Sequence, residues 1–254
     1  MDANTEQDGS IREETYTVRA YEVGPQGTSS LQTICNYLQE AAGHHARLLG
    51  VGIEDLLKQD LTWVLSRLHV QVLRFPSWRE ELSLLTWPSQ INRLFACRDF
   101  ELFDASSQRI AIATSAWLML NTQTGRPVSI PERIATFHPK KRTRALEDDF
   151  DKLPALQTVE AEHRFSVRLS DLDMNRHVNN VNYIEWAVES VPESLWSARH
   201  IRSFEIAFRA AGQYGDTVIA QSQAEEKDGR VTCLHRLLRE SDGKEMATAR
   251  SIWV

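Results

Sequence analysis

The chain repeats itself, and the repeat constrains its fold more than any single residue does. Val18-Arg19 is followed by NYLQEA at Asn36 to Ala41, and Val167-Arg168 by NYIEWA at Asn182 to Ala187, over intervening lengths that differ by three residues. Downstream, LHVQVLRFPSWREELSLLTW (68–87) parallels SFEIAFRAAGQYGDTVIAQS (203–222). Each alternates, breaks, and resumes after an aromatic-x-acid step, Trp78-Arg79-Glu80 or Tyr214-Gly215-Asp216. Both halves then end in a run of β-formers behind a turn, the first holding Trp117 and the second Trp253. Chance can supply one such match but not readily three in one order.

Each half reads as a strand, one central helix, then long antiparallel strands joined by short turns such as Ser241-Asp242-Gly243-Lys244. That is an α+β plan, a helix laid on one face of an antiparallel sheet, used twice. In the first half Leu31, Ile34, Leu38, Ala41, Ala42, Leu48 and Leu49 form the helical stripe, and Gly50 and Gly52 stand where a C-cap falls. The expected organisation is a disordered tail at 1–12, a first domain at 13–126, a linker at 127–160 holding four of the eight prolines, and a second domain at 161–254.

Lys plus Arg number 29 against 35 Asp plus Glu, so the net charge of -6 gives no global pull toward nucleic acid or an anionic membrane. Cys35, Cys97 and Cys233 form no CxxC or Cys/His spacing, which points away from a disulfide framework and a zinc site and toward a reducing cytosol. The opening MDANTEQDGSIREE lacks the apolar core of a signal peptide. The longest apolar stretch, Ile110 to Leu120, falls short of the ~20 residues that span a bilayer, so a cytoplasmic protein with no membrane span is expected.

Between Asp171 and Pro192 the second half carries DLDMNRHVNNVNYIEWAVESVP. One part of it is an ordinary helix start, with Asn175 or Asp173 as cap, apolar residues at helical spacing and Pro192 as the stop. A cap needs one side-chain acceptor, however, and here Asp173, Asn175 and His177 stand at alternate positions. In an extended segment they would point the same way and converge in front of the helix. Such a point has the parts for acyl transfer to water: Asp173 as base or nucleophile, Asn175 as donor to a carbonyl, His177 beside it, and the first backbone N–H groups near Val178 to Asn180, Val178 and Asn179 foremost, for a developing oxyanion. Metal ligation is the rival use of these residue types, but no second His or Cys stands nearby, and neither metal nor cofactor is expected.

This stretch resembles the signature of plant and bacterial acyl-acyl-carrier-protein thioesterases, double hot-dog proteins whose C-terminal half carries DxNxHVNNxxY before the central helix. VRAYEVGPQGTSSLQTICNYLQEAAGHHARLLG, LTWVLSRLHVQVLRFPSWRE and CRDFELFDASSQRIAIATSAWLMLN are similar to that family's N-terminal half, and KLPAL to its inter-domain segment. The resemblance implies a tandem hot-dog fold that hydrolyses the thioester of fatty acyl-acyl-carrier protein. It places the family's catalytic Asp, Asn and His on Asp173, Asn175 and His177. The family's next strand usually carries aromatic-x-x-Glu, followed in plants by Cys; here it reads Phe208-Arg209-Ala210-Ala211-Gly212, with Ala211 for the Glu and Gly212 for the Cys. An acyl-CoA thioesterase, and an acyl-binding protein with a degenerate site, stay open as alternatives.

YEVGPQGTSS, the first-half counterpart of the polar motif, has neither His nor paired carboxylates, so this half is expected to be catalytically silent and to wall the acyl chain. Trp63, Leu65, Leu68, Trp117 and Met119 are candidates for that lining, with plain core packing as the competing role. Lys140, Lys141, Arg142 and Arg144 in HPKKRTR are the candidate docking patch for an acidic carrier protein, against the role of a solvated linker. A tandem repeat supplies internally the pairing that single hot-dogs obtain by dimerising, so monomer and homodimer are both compatible with it.

Overall fold

A computed structural model describes residues 9–91, 94–137 and 142–254. Its elements repeat in order. The first half runs β1 (Arg12–Thr17), a 3-10 turn (Ala20–Glu22), α1 (Leu31–Leu48), α2 (Ile53–Leu57), β2 (Leu61–Val72), β3 (Glu81–Ile91), β4 (Phe95–Asp104) and β5 (Arg109–Asn121). After β6 (Pro127–Val128) and α3 (Glu132–Ala135), the second half repeats the series. It runs β7 (Ala161–Ser166), a 3-10 turn (Leu169–Asp171), α4 (Asn180–Glu189), α5 (Glu193–Ala198), β8 (Ile201–Phe208), β9 (Thr217–Lys227), β10 (Arg230–Arg239) and β11 (Glu245–Trp253). The stretch expected to be linker thus carries β6, which pairs with β5, and the single turn of α3.

The repeat extends to individual hydrogen bonds. Val18 bonds through its backbone to Glu80 and Arg79 across the entry to β3 (Val18 N–H to Glu80 O 3.0 Å, Arg79 N–H to Val18 O 2.9 Å), as Val167 does to Asp216 and Gly215 before β9 (2.9 and 3.4 Å). Arg79 and Gly215 share the left-handed conformation this crossing requires, at φ 66° and 85°. The two late tryptophans also match: Trp117 Nε1 donates to Ser115 Oγ at 2.9 Å, and Trp253 Nε1 to Ser251 Oγ at 2.8 Å.

The chain divides into two compact units. One takes the chain up to Ser29, Asn36–Leu65 and Arg74–Glu147; the other takes Ser30–Cys35, Ser66–Leu73 and Asp148–Val254. The first turn of α1 and the later part of β2 therefore group with the second unit rather than with the half that precedes the linker. Two observations explain this: Gln32 Nε2 donates to Glu185 Oε2 of α4 at 2.6 Å, and Arg67 to Gln71 pair with Ala207 to Ser203 of β8.

In the first unit the antiparallel order is β1-β3-β4-β5-β2. Leu38, Ala41 and Ala42 make the buried stripe of α1, whereas Leu48, expected on it, is 64% exposed because the helix ends there and Gly50 (φ 68°) turns the chain away. Tyr37 of α1 stacks on Tyr16 of β1 with ring centroids 4.5 Å apart. In the second unit the order is β2-β8-β11-β10-β9-β7, and α4 lies over β9 and β10. Its buried Val181, Tyr183, Ile184, Trp186 and Ala187 hold it there, each large apolar side chain contributing about 1.5–3 kcal/mol. No helix among the described residues is long and apolar enough to cross a membrane.

Candidate active site

The polar motif does not lie extended. It forms a tight turn that delivers the chain into α4, closed by an isolated bridge between Leu172 and Val178, by Asp173 N–H to His177 O (2.8 Å) and by Arg176 N–H to Asp173 O (3.0 Å). Arg176 adopts a left-handed φ of 61° to close it. Asp173, Asn175 and His177 are therefore brought together by the turn and not by strand alternation. Asp173 Oδ1 accepts the N–H of Asn175 at 2.8 Å and that of His177 at 3.2 Å, and Oδ2 faces Asn175 Nδ2 at 3.5 Å. The carboxylate is half-buried; the Asn175 and His177 side chains are exposed. His177 joins the cluster through its backbone, and its ring has no partner among the described residues.

The first unit contains the same turn without those side chains. Gly24 N–H bonds Thr28 O at 3.0 Å, Gly27 N–H bonds Gly24 O at 2.9 Å, Gly27 has φ 73°, and Val23 bridges Ser29. The next residue donates to the following loop in both, Ser29 N–H to Pro76 O (2.8 Å) and Val178 N–H to Gly212 O (3.0 Å). Gly24, Gln26 and Thr28 thus stand where Asp173, Asn175 and His177 stand. The backbone turn does not need a carboxylate, an amide of that length or an imidazole.

Two expectations about the helix start are corrected. The N-cap is Asn179, whose side chain accepts from Val181 N–H at 3.4 Å, rather than Asp173 or Asn175; these lie in the turn before it. The N–H groups of Val178 and Asn179, expected to serve an oxyanion, are already bonded to Gly212 O (3.0 Å) and Asp171 O (2.8 Å). A donor so committed can serve a ligand only by breaking a backbone bond. The amide of Asn180, first in α4, has no acceptor among the described residues.

Residues the sequence reading passed over hold the turn in place. Tyr183 Oη accepts Gly212 N–H at 2.7 Å and donates to Ala210 O at 3.3 Å, and burial pushes its phenol up to about 12. Asn182 Nδ2 donates to Asp171 O at 2.8 Å, and Arg168 pairs with the buried Asp171 at 2.8 Å. The motif's own Asn and Tyr were the available signal for the first two. Glu185, whose carboxyl is raised by burial, gave none.

Ala211 is exposed and brings no acid to the turn; its carbonyl accepts from Arg239 Nη2 at 2.9 Å. Gly212 is closely covered: a Cβ there would meet Met246 Cε at 2.8 Å, Val178 Cγ2 at 2.9 Å and Tyr183 Oη at 3.2 Å, so a thiol cannot be placed without displacing them. Cys35, Cys97 and Cys233 are all buried, and burial raises Cys35 to about 12 and Cys233 to about 11. Thiols so raised are not the nucleophilic thiolate at neutral pH.

The candidate acyl-lining residues separate. Met119 is fully buried in a cluster with Val51, Leu56 and Ile134, with Trp63 packed against it and donating to Val51 O at 3.1 Å. Leu65 and Leu68 are buried, and Trp117 is half-buried. Of the basic run, Lys140 and Lys141 lie outside the described residues. Arg142 donates to Glu101 and lies 4.1 Å over the Trp87 ring, while Arg144 donates to Thr114 Oγ1 at 2.6 Å and faces the buried Asp99 at 3.6 Å.

Comparison with known proteins agrees with this architecture. The models of the acyl-ACP thioesterase N-terminal and C-terminal domains match residues 9–137 and 155–254. A palmitoyl-acyl carrier protein thioesterase, chloroplastic, of Gossypium hirsutum is 33% identical over 269 residues, covering 97% of this chain and 64% of that protein; the chain spans under two thirds of this curated relative. Among solved structures, a 12:0-ACP thioesterase from Umbellularia californica superposes with TM-score 0.88 at 29% identity, covering 100% of this chain and 97% of that one. An acyl-ACP thioesterase from Bacteroides thetaiotaomicron does so with TM-score 0.85 at 26% identity, covering 97% and 99%. These neighbours share the double hot-dog architecture.

Proposed function

Since the chain belongs to the acyl-ACP thioesterase family, we infer that it hydrolyses the thioester of a fatty acyl-acyl-carrier protein, releasing free fatty acid and ending chain elongation. The observation that carries this reading is the pair of matched turns. One has Gly24, Gln26 and Thr28, the other Asp173, Asn175 and His177, so the second turn's polar groups answer to something other than the fold.

In this reading Asp173 acts on the thioester carbonyl, as general base on a water or as direct nucleophile. Its Oδ1 is held by two backbone N–H groups, which leaves Oδ2, with only the long Asn175 contact, as the working oxygen. A carboxylate fixed in this way loses little freedom on reaching the transition state. Asn175 orients the carbonyl, and His177, exposed at the turn, protonates the departing pantetheine thiolate. The oxyanion is assigned to the free Asn180 amide at the positive end of α4. Lys140 and Lys141 are the part of the basic run we assign to carrier-protein docking. The reducing cytosol is the proposed compartment, on the strength of three buried cysteines that form no disulfide.

The missing acid at Ala211 favours one competing reading, an acyl-binding protein that cleaves slowly or not at all. Thiol release measured side by side on matched acyl-carrier protein and acyl-CoA substrates decides. Faster turnover of the carrier-protein ester supports the proposal, preference for CoA makes the chain an acyl-CoA thioesterase, and saturable binding without release makes it a binding protein.

A further inference from the structure

On the second unit, away from the Asp173 turn in sequence, three side chains from three chain segments form a relay. Ser203 Oγ of β8 lies 2.9 Å from His69 Nε2 of β2, and His69 Nδ1 lies 2.6 Å from Asp148 Oδ2. Asp148 is itself oriented, since its Oδ1 accepts Phe150 N–H at 2.6 Å. With Oδ2 as acceptor on Nδ1–H, the imidazole is set as the tautomer whose Nε2 lone pair faces the serine hydroxyl. His69 and Asp148 side chains are each 13% exposed, dry enough to strengthen the bonds between them.

The surroundings supply the other parts such a relay needs. Glu205 stands directly opposite His69 in the β2–β8 register, is buried, and is tied to Arg250 at 2.7 Å; its carboxylate lies within 4.8 Å of the His69 and Asp148 ligand atoms, where it would steady an imidazolium. Gln71 stands directly opposite Ser203, and its side-chain amide has no partner among the described residues. Cross-strand neighbours sit about 5 Å apart at Cβ, within reach of a serine-bound oxyanion. Serine, base, orienting acid and amide donor are the constellation of a serine acyl-transfer site, which is recognised by geometry rather than by sequence order.

We propose that Ser203, His69 and Asp148 form a second nucleophilic site, separate from Asp173, that accepts acyl groups from carboxylic esters. Ser203 Oγ bonds to the ester carbonyl carbon as its proton passes to His69 Nε2. The carbonyl–oxygen bond to the alcohol breaks, and the leaving alkoxide takes that proton. Water, deprotonated by the same histidine, then releases the acid and restores the serine. Asp148 touches no substrate; it is a positioning residue acting through His69. The rival use of His69, Asp148 and Glu205 as ligands to a divalent ion is disfavoured by the 2.6 Å nitrogen–oxygen distance, which is that of a shared proton, and by the Arg250 guanidinium on Glu205.

The test is to treat the native full chain with a fluorophosphonate, which traps an activated serine by forming an oxygen–phosphorus bond as fluoride leaves. One adduct per chain at Ser203, located by peptide mass spectrometry, is expected. Ser203→Ala should remove it and leave thioester hydrolysis unchanged. His69→Ala should slow labelling by at least ~100-fold, the low end of what a positioned base supplies. Asp148→Asn should shift or flatten the pH profile of the labelling rate, which a merely structural role for Asp148 would not do. Absence of adduct on the wild type overturns the proposal, and so does labelling that His69→Ala leaves undiminished. Uptake of one zinc ion per chain that His69→Ala abolishes, with no adduct at Ser203, would overturn it in favour of a metal site.

Discussion

Asp173 and Gly24 hold the same place in two copies of one turn, each donating its N–H to the carbonyl four residues on, at 2.8 and 3.0 Å, and each accepting from the residue three on, at 3.0 and 2.9 Å. The molecule thereby contains its own control: one copy shows what the backbone requires, and the other shows what has been added to it. The additions are a carboxylate, an amide and an imidazole.

Replacing Asp173 should therefore separate activity from folding. Asp173→Asn should lower kcat on acyl-carrier protein by at least ~100-fold, and Asp173→Gly, the first-half residue, should do the same. Thermal melts of both should stay within a few degrees of wild type. Near-normal turnover in Asp173→Asn would remove this residue from the chemistry, and collapse of the fold in Asp173→Gly would show that the two turns are not equivalent.

Thiol chemistry should be dispensable. The triple variant Cys35→Ala, Cys97→Ala, Cys233→Ala should keep thioester cleavage, since Cys35 and Cys233 are raised to about 12 and about 11 by burial. Loss of activity in a variant that still melts cooperatively would restore a cysteine nucleophile.

Introducing the plant-type cysteine should cost stability. Gly212→Cys places Cβ against Met246 Cε and Val178 Cγ2 at 2.8 and 2.9 Å, and such overpacking typically costs about 1–3 kcal/mol. A urea midpoint equal to wild type would show that the loop yields freely. If Met246 is the obstacle, Gly212→Cys should cost less in a Met246→Ala background than in the wild type.

Acid should destabilise the fold through two buried histidines. Burial holds His45 down to about 4, helped by the Arg98 guanidinium, and His235 down to about 3. Both are neutral when folded and titrate near ~6.5 when unfolded, so the unfolded chain binds more protons at low pH. Their contribution is complete above that pH and falls away as the pH drops through it toward about 4 and then about 3. His45→Gln should flatten the curve of unfolding free energy against pH between ~6.5 and about 4; an unchanged slope there would remove His45 from the linkage.

The basic run should divide by function. Arg144→Ser should lower stability by about 1.5–3 kcal/mol, the range for a hydrogen bond to a charged group, because it removes the guanidinium that donates to the buried Thr114 Oγ1 and faces the buried Asp99. Lys140→Ser with Lys141→Ser should instead raise KM for the carrier-protein ester in a salt-dependent way, with small thioesters unaffected. If KM is insensitive to both lysines, docking lies elsewhere.

The repeat, the α+β plan and the Asp173 cluster were legible in the sequence because each is written locally: in hydrophobic period, in turn residues, and in a motif a few residues long. Legibility failed where the answer depends on a partner remote along the chain. Val178 and Asn179 look like free helix-start amides until Gly212 and Asp171 are found accepting from them. The motif looks extended until Arg176 takes up φ 61° and folds it over. Leu68 and His69 are adjacent, yet one is buried and the other joins Ser203, through the register of β2 against β8, and Asp148, which comes from a segment outside both strands. The sequence by itself determined the two-fold plan and the residue types at its second turn. Tertiary structure decided which polar groups are left unbonded, because hydrogen-bond satisfaction is settled across strands and not along them.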